Sequence, residues 1–286
     1  MNAPFCVADA KRPAPLRNAA IQLKKYVEIA KISFKMQIVW RFDVAFTLSF
    51  AVARILFAYI LWQAIFGERD EVAGFTLHSM LSYYIVVSFL AGLDMSGRIS
   101  EEICQGVLGG AFSKYMVVPV GVQGYFCCKS FGASLFYLSF NLIAALVWTF
   151  IFRVRFVFAA DPAVAAAAVA MALMGLVFMA ELHFLIGILS FKFIRIDFFR
   201  MIAGNLVEFA TGTMIPLILL PETTVALMKF FPFYYAAYLP SMLLTGRNGD
   251  EALQGLVVMS MWVLFFYRLN GTVYKRMRTL YEGVGI

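Results

Sequence analysis

Four ionisable residues, Arg54, Glu181, His183 and Glu208, are embedded in long apolar stretches of this chain. A charge in such surroundings is costly, so each must pair with a partner or face a polar path. Two readings stay open. A Glu181–Glu208 cluster, or either carboxylate with Arg54, could form a polar patch on a substrate pathway. Alternatively, a buried pair or a snorkelling side chain would only hold helices together. Glu181 and His183 stand two apart on a helix and point to different faces. A proton relay would align more carboxylates along one route.

No catalytic constellation accompanies these residues. The chain has no Gly-Lys dipeptide and therefore no phosphate loop of the Walker type. It also lacks an HExxH pair and a Gly-x-Ser-x-Gly elbow. Cys6, Cys104, Cys127 and Cys128 have no metal-ligand spacing and read as reduced, inert thiols. The sequence thus predicts no catalytic residue, no metal site, no cofactor and no enzyme.

The elements that position these groups follow from composition. Of 286 residues, 62% are hydrophobic and only 14% charged. Ordinary soluble domains are nearer half apolar and a quarter charged, so an integral membrane protein is expected. The net charge of +7 fits basic residues flanking membrane spans and facing anionic lipid. No basic stripe interleaved with aromatics points to nucleic acid. A span needs about 20 apolar residues, and six segments qualify. They are Val44 to Phe66, Thr76 to about Gly97, about Ser130 to Phe152, Ala163 to Ser190, Met201 to Leu220, and about Ala252 to Tyr267. Asp94 lies near the end of the second. Pro216 and Pro221 break the end of the fifth.

Lys and Arg are distributed unevenly between alternate sides. Eighteen fall on the side of the N-terminal segment and five on the other, which predicts both termini in the cytoplasm. No cleavable signal is read in the first 43 residues. The N-terminal segment places Lys24, Glu28, Lys31 and Lys35 on one helical stripe beside Leu23, Val27, Ala30, Phe34 and Ile38. Such a helix can lie in the membrane interface, or the segment can be a plain linker. Three regions result: a cytoplasmic segment 1–43, a six-helix transmembrane domain 44–270, and a cytoplasmic tail 271–286.

Two connecting segments stand out. Segment 98–120 has an acidic start at Glu101 and Glu102 and a glycine stop, which describes a short amphipathic helix suited to docking a cytosolic partner. A solvated loop is the alternative. Segment 215–246 holds Pro216, Pro221, Pro232 and Pro240 yet stays strongly apolar. Two half-helices dipping back into the membrane would satisfy both properties.

Several motifs now align. Trp40-Arg41-Phe42-Asp43 follows the N-terminal helix, and Leu61-Trp62-Gln63-Ala64-Ile65-Phe66 closes the first span. Ile99 to Leu108 carries Glu102 and Gly106, and Lys114 to Pro119 follows. Ile215-Pro216-Leu217, Leu220-Pro221, Phe231-Pro232-Phe233-Tyr234, Leu239-Pro240 and Gly246 precede the last span. In this order the chain resembles the ABC type-2 permeases, the membrane subunits of bacterial ATP-binding-cassette exporters, over nearly its whole length. That resemblance implies an all-α, six-span subunit in the bacterial inner membrane, dimeric with itself or a related permease. It implies separate cytosolic ATPase subunits that carry the ATP and magnesium. Arg98, Glu101, Glu102, Gly106 and Lys114 would form the docking region on a coupling helix. Lys24, Lys31 and Lys35 would mark the interfacial helix against membrane lipids. The substrate is left open by the resemblance. A secondary transporter is the runner-up, although paired broken helices are expected there and only one broken region is found. A membrane assembly or sensor protein is the third reading.

Overall fold

The computed structural model describes residues 15–39, 41–72, 74–152, 158–193, 195–213 and 215–281. Among them the chain is all helical, save an isolated bridge between Val72 and Phe75. The helices are α1 (Pro15–Val39), α2 (Arg41–Phe66), α3 (Leu77–Leu93), α4 (Gly97–Leu108), α5 (Ser113–Met116) and α6 (Val122–Phe152). They continue with α7 (Pro162–Ile188), α8 (Asp197–Ala210), α9 (Glu222–Met228), α10 (Leu239–Leu244) and α11 (Ala252–Met277).

The long apolar helices start where the chain supplies caps. The Thr76 side chain accepts from the Ser79 amide at 3.3 Å to open α3. At α7, Asp161 accepts from the Ala163 amide at 2.9 Å and Pro162 occupies the first turn, where its missing N–H is harmless.

α7 is the axis of the bundle, with α4, α11, the turn Tyr234–Tyr238 and α10 packed on it. Its small residues admit these neighbours. A Cβ on Gly187 would sit 2.8 Å from Ile103 Cδ1 of α4, and one on Gly175 would sit 2.7 Å from the Ala236 carbonyl oxygen. At both glycines the close neighbour is thus a segment of the same chain. Tyr234–Tyr238 is a π turn, in which the Leu239 amide bonds back to the Tyr234 carbonyl. Pro240 has no N–H to give Ala236, so the wider register is the one available there.

The six expected crossings are not what the structure contains. Among the described residues, four helical stretches are long and apolar enough to span: Leu77–Leu108, Val122–Ile143, Pro162–Phe191 and Gly249–Leu280. Within α2 only Ile55–Phe66 forms a described apolar run, about 18 Å at 1.5 Å per residue against a core of about 30 Å. The fifth expected span ends early. α8 stops after 14 residues at Ala210, because Gly212 turns with φ of 72° and Pro216 follows. The proline-rich segment after it is a series of short pieces, α9, the π turn and α10, of which the last two are buried against protein.

α1 also differs from a helix resting on the lipid interface alone, because it packs along α6. Ser33 Oγ donates to the Lys129 carbonyl at 2.6 Å, and Phe34 meets Phe136 edge-on at 5.4 Å. Lys24, Lys31 and Lys35 are exposed on the opposite side. Lys31 pairs with Glu28 at 2.9 Å, and its hydrogen bond holds the Glu28 carboxyl below the usual carboxylate range. The contact of α1 with α6 is closest at Gly132, where a Cβ would collide with the Ala30 backbone. Gly132→Val is expected to pry the helices apart at a cost of about 1–3 kcal/mol. Hydrogen exchange would show it as faster amide exchange in α1, with α7 unchanged.

Candidate functional site

A cavity of about 280 Å³ lies between the end of α3, the middle of α7, α8 and the π turn. His183 and Glu208 line it, and so does Asp94 at the C-terminal cap of α3. Thr211, Thr213 and the small residues Gly97, Gly175 and Gly204 complete the wall. The geometry of each group is set locally. Asp94 Oδ1 accepts from the Ser96 amide at 3.0 Å, fixing the turn between α3 and α4. His183 Nδ1 is 3.3 Å from Ser100 Oγ, which ties the imidazole to α4. Thr211 donates to Val207 and Thr213 to the Glu208 carbonyl, at 2.6 and 2.9 Å, closing the end of α8.

Glu181 occupies the other side of α7 and is 2% exposed. Gln123 Nε2 of α6 and Asn270 Nδ2 of α11 donate to its Oε2 at 2.6 and 2.5 Å. Asn270 also donates to the Glu181 carbonyl at 2.8 Å, and Cys127 Sγ approaches Oε1 at 3.5 Å. Neutral donors from two helices thus converge on one carboxyl and tie α6 and α11 to α7. No ion pair to Glu181 occurs among the described residues.

α4 is braced on three sides. Glu102 receives Lys129 Nζ of α6 on both oxygens, at 2.5 and 2.6 Å, and the Tyr115 hydroxyl at 2.5 Å. Burial, with the Glu102 carboxylate beside it, pushes the Tyr115 phenol well up, so it stays a donor. Glu101 meets Arg200 of α8 at 3.2 Å, an exposed pair that contributes little by itself. Arg98 Nη1 donates to Gln37 of α1 at 2.8 Å, and its guanidinium lies 5.7 Å from the Tyr137 ring centre. Arg98, Glu101, Glu102, Lys129, Ser33 and Gln37 border a cleft of about 630 Å³ between α1, α4 and α6. Beyond α4 the chain folds back under Tyr281. Its hydroxyl accepts from the Phe112 amide at 3.1 Å and donates to the Gly110 carbonyl at 2.6 Å.

The sequence-singled residues therefore separate. His183 and Glu208 share one cavity, while Glu181 belongs to another network, and the side chain of Arg54 lies outside the described residues. Cys6 also lies outside them, and Cys104, Cys127 and Cys128 are free thiols. Glu101 and Glu102 fall beyond the first turn of α4, so they act through Arg200 and Lys129 rather than as dipole caps. Gly106 is buried with Phe112 about 3.6 Å from where a Cβ would sit, and Lys114 is exposed. Sequence reading missed Gln123, Lys129 and Asn270 as partners. Polar residues inside otherwise apolar helices were the available signal.

These features define a multi-pass membrane protein whose helical bundle holds a largely apolar cavity carrying Asp94, His183 and Glu208 on its wall. The ABC-2 family transporter protein model matches residues 52–285, most of the chain, and the chain belongs to that family of membrane transport subunits. No curated protein matches the sequence.

Proposed function

We propose that this chain is the permease subunit of an ABC exporter in a bacterial inner membrane, with both termini in the cytoplasm. It forms its pathway as a dimer, with itself or a related permease, and separate cytosolic ATPases supply the ATP hydrolysis. α4 and the turn after it form the ATPase-docking region. In it Glu101 and Lys114 are presented outward, Arg98 and Glu102 anchor the helix, and Gly106 lets Phe112 fold under it. Lys24, Lys31 and Lys35 of α1 face lipid headgroups.

The observation that supports this reading is the placement of α4. It contacts the cavity-lining helix α7 through Gly187 and through the Ser100–His183 contact. It also reaches α8, the other wall of the cavity, through Glu101 and Arg200. Force applied to α4 from outside is thus delivered to two walls of the cavity. An exporter needs such a link, since a partner shifts a conformational equilibrium only by contacting the two states differently.

Affinity purification of the tagged chain in mild detergent, followed by mass spectrometry, tests the proposal. A stoichiometric ATPase is expected with the wild-type chain. Glu102→Lys places a cation against Lys129 and is expected to lose the ATPase, as is Lys114→Glu, which alters only an exposed position. A homo-oligomer with no ATPase, unchanged by either substitution, would overturn the proposal in favour of a secondary transporter or sensor.

A further inference from the structure

The stretch between α4 and α6, residues 109–121, is held by α1 at one end and by the segment after α11 at the other. Within it α5 is a single helical turn, so the backbone groups outside α5 need other partners. Two tyrosine hydroxyls supply them. Tyr281, just past the short turn Arg278–Leu280 that follows α11, donates to the Gly110 carbonyl at 2.6 Å. The same oxygen accepts from the successive amides of Phe112 and Ser113, at 3.1 and 3.4 Å. Gly110 bends there with φ of 68°, a conformation that suits glycine. At the other end Tyr26 of α1 accepts from the Gly121 amide at 3.3 Å, and Lys25 Nζ donates to the Pro119 carbonyl at 3.3 Å. Gly124 admits the Tyr26 ring against the first turn of α6, since a Cβ there would lie 2.8 Å from it.

Rings complete the hold. Phe112 is fully buried between Phe191, edge-on at 4.9 Å, and Tyr281 at 5.9 Å. Tyr115 is buried on Phe126 of α6 at 4.9 Å. The stretch therefore turns Phe112 and Tyr115 inward and presents Lys114, Met116 and Val117 outward, Val117 at 81% exposure. Packing alone would need the tyrosine rings and not their hydroxyls. A hydroxyl that takes one carbonyl and two amides of a turn fixes the path of its backbone. A turn fixed in advance loses less freedom when a partner binds it, which raises affinity.

We infer that Tyr26 and Tyr281 are positioning residues for the ATPase-docking turn. Their hydroxyls hold 109–121 in the shape that binds the ATPase, and they bring α1 and α11 into the coupling path. α11 also holds Glu181 of α7 through Asn270, so a pull on the turn enters the bundle by a second route besides α4. The identity of the partner rests on the exporter reading; the hold on the turn does not.

The test compares Tyr281→Phe and Tyr26→Phe, which keep the rings and remove only the hydroxyls, with Tyr267→Phe on the exposed face of α11. Hydrogen exchange of the full chain in lipid nanodiscs is the first readout. Amides of 109–121 are expected to exchange about tenfold faster in the first two variants and as in wild type in the third, with α7 unchanged throughout. Tyr26→Phe reads the same turn if Tyr281→Phe fails to fold. The ATPase recovered with the wild-type chain is then titrated against each variant, with ATP hydrolysis stimulated by the chain as the second readout. The ATPase concentration for half-maximal stimulation is expected to rise about tenfold, as loss of partners for backbone groups of the docking turn would cause. The maximal rate at saturation is expected to stay at wild type. A merely structural role would do the opposite, lowering the maximal rate along with the melting temperature and leaving the half-maximal concentration alone. That result, or exchange of 109–121 equal to wild type, would overturn the inference. Faster exchange with an unaltered half-maximal concentration would overturn it as well and leave the exporter reading standing. Faster exchange in a chain that recovers no ATPase sinks the exporter reading and leaves the hold on the turn standing.

Discussion

Glu181→Ala is expected to lower the stability of the detergent-solubilised chain by about 2–4 kcal/mol, the largest effect of any single polar substitution proposed here. The reason lies in what the carboxyl holds. Gln123 and Asn270 both donate to Glu181 Oε2, from the helices α6 and α11 that pack on α7. Removing the acceptor leaves the Gln123 amide with only the Tyr267 carbonyl at 3.2 Å. It leaves Asn270, fully buried and already carrying an unpartnered Oδ1, with only the Glu181 backbone carbonyl. Buried donors without acceptors cost more than the lost bonds themselves. Thermal unfolding followed by size-exclusion chromatography reads the effect. Glu208→Ala, at an exposed position with no carboxylate partner among the described residues, is the control expected to unfold near wild type. Equal melting temperatures for Glu181→Ala and wild type would show that the α6–α7–α11 network is not what holds these helices.

Much of this arrangement was legible beforehand, and the part that was not has a physical pattern. The membrane class follows from composition because covering 62% apolar residues with 14% charged ones leaves no aqueous surface. A short helix within 98–120 is readable from its glycine stop, which falls at Gly109, while the acidic pair taken as its start lies in the second turn of a helix that begins at Gly97. The opposite faces of Glu181 and His183 follow from helix geometry alone. The count of spans did not, since hydropathy sees Met201 to Leu220 as one run and misses the turn at Gly212. There a positive φ fits the Tyr83 hydroxyl, which donates to the Gly212 carbonyl at 2.9 Å, a contact 129 residues away in sequence. Partners were invisible for the same reason. Lys129 falls just before the third expected span at Ser130, whereas α6 begins at Val122 and carries it up to Glu102. Asp94 was noted only as a charge near a helix end, because its neighbours His183 and Glu208 arrive from α7 and α8. Periodicity reports which face of a helix is apolar, and it is silent on which helix covers that face.

Gly187→Val is expected to separate ATPase binding from transport. A Cβ at Gly187 would lie 2.8 Å from Ile103 Cδ1 and 3.1 Å from Ser100 Cα, so α4 must move outward to admit a branched side chain. Overpacking of this kind costs about 1–3 kcal/mol, which a bundle with Glu102–Lys129 and Tyr281 still holding α4 and its turn is expected to survive. The outward face of α4, with Glu101 and Gln105 exposed, stays available to a partner. What is lost is the close seat of Ile103 and Ser100 on α7, and with it the Ser100 contact that ties α4 to His183 in the cavity. The variant is therefore expected to retain its ATPase on purification, while substrate-stimulated ATP hydrolysis falls by about tenfold, equivalent to about 1.4 kcal/mol of lost coupling. Glu102→Lys is expected to do the reverse, losing the ATPase itself. Should Gly187→Val keep full stimulation, the path from α4 to the cavity would run through α8 and the Glu101–Arg200 contact, and Arg200→Ala would then abolish it.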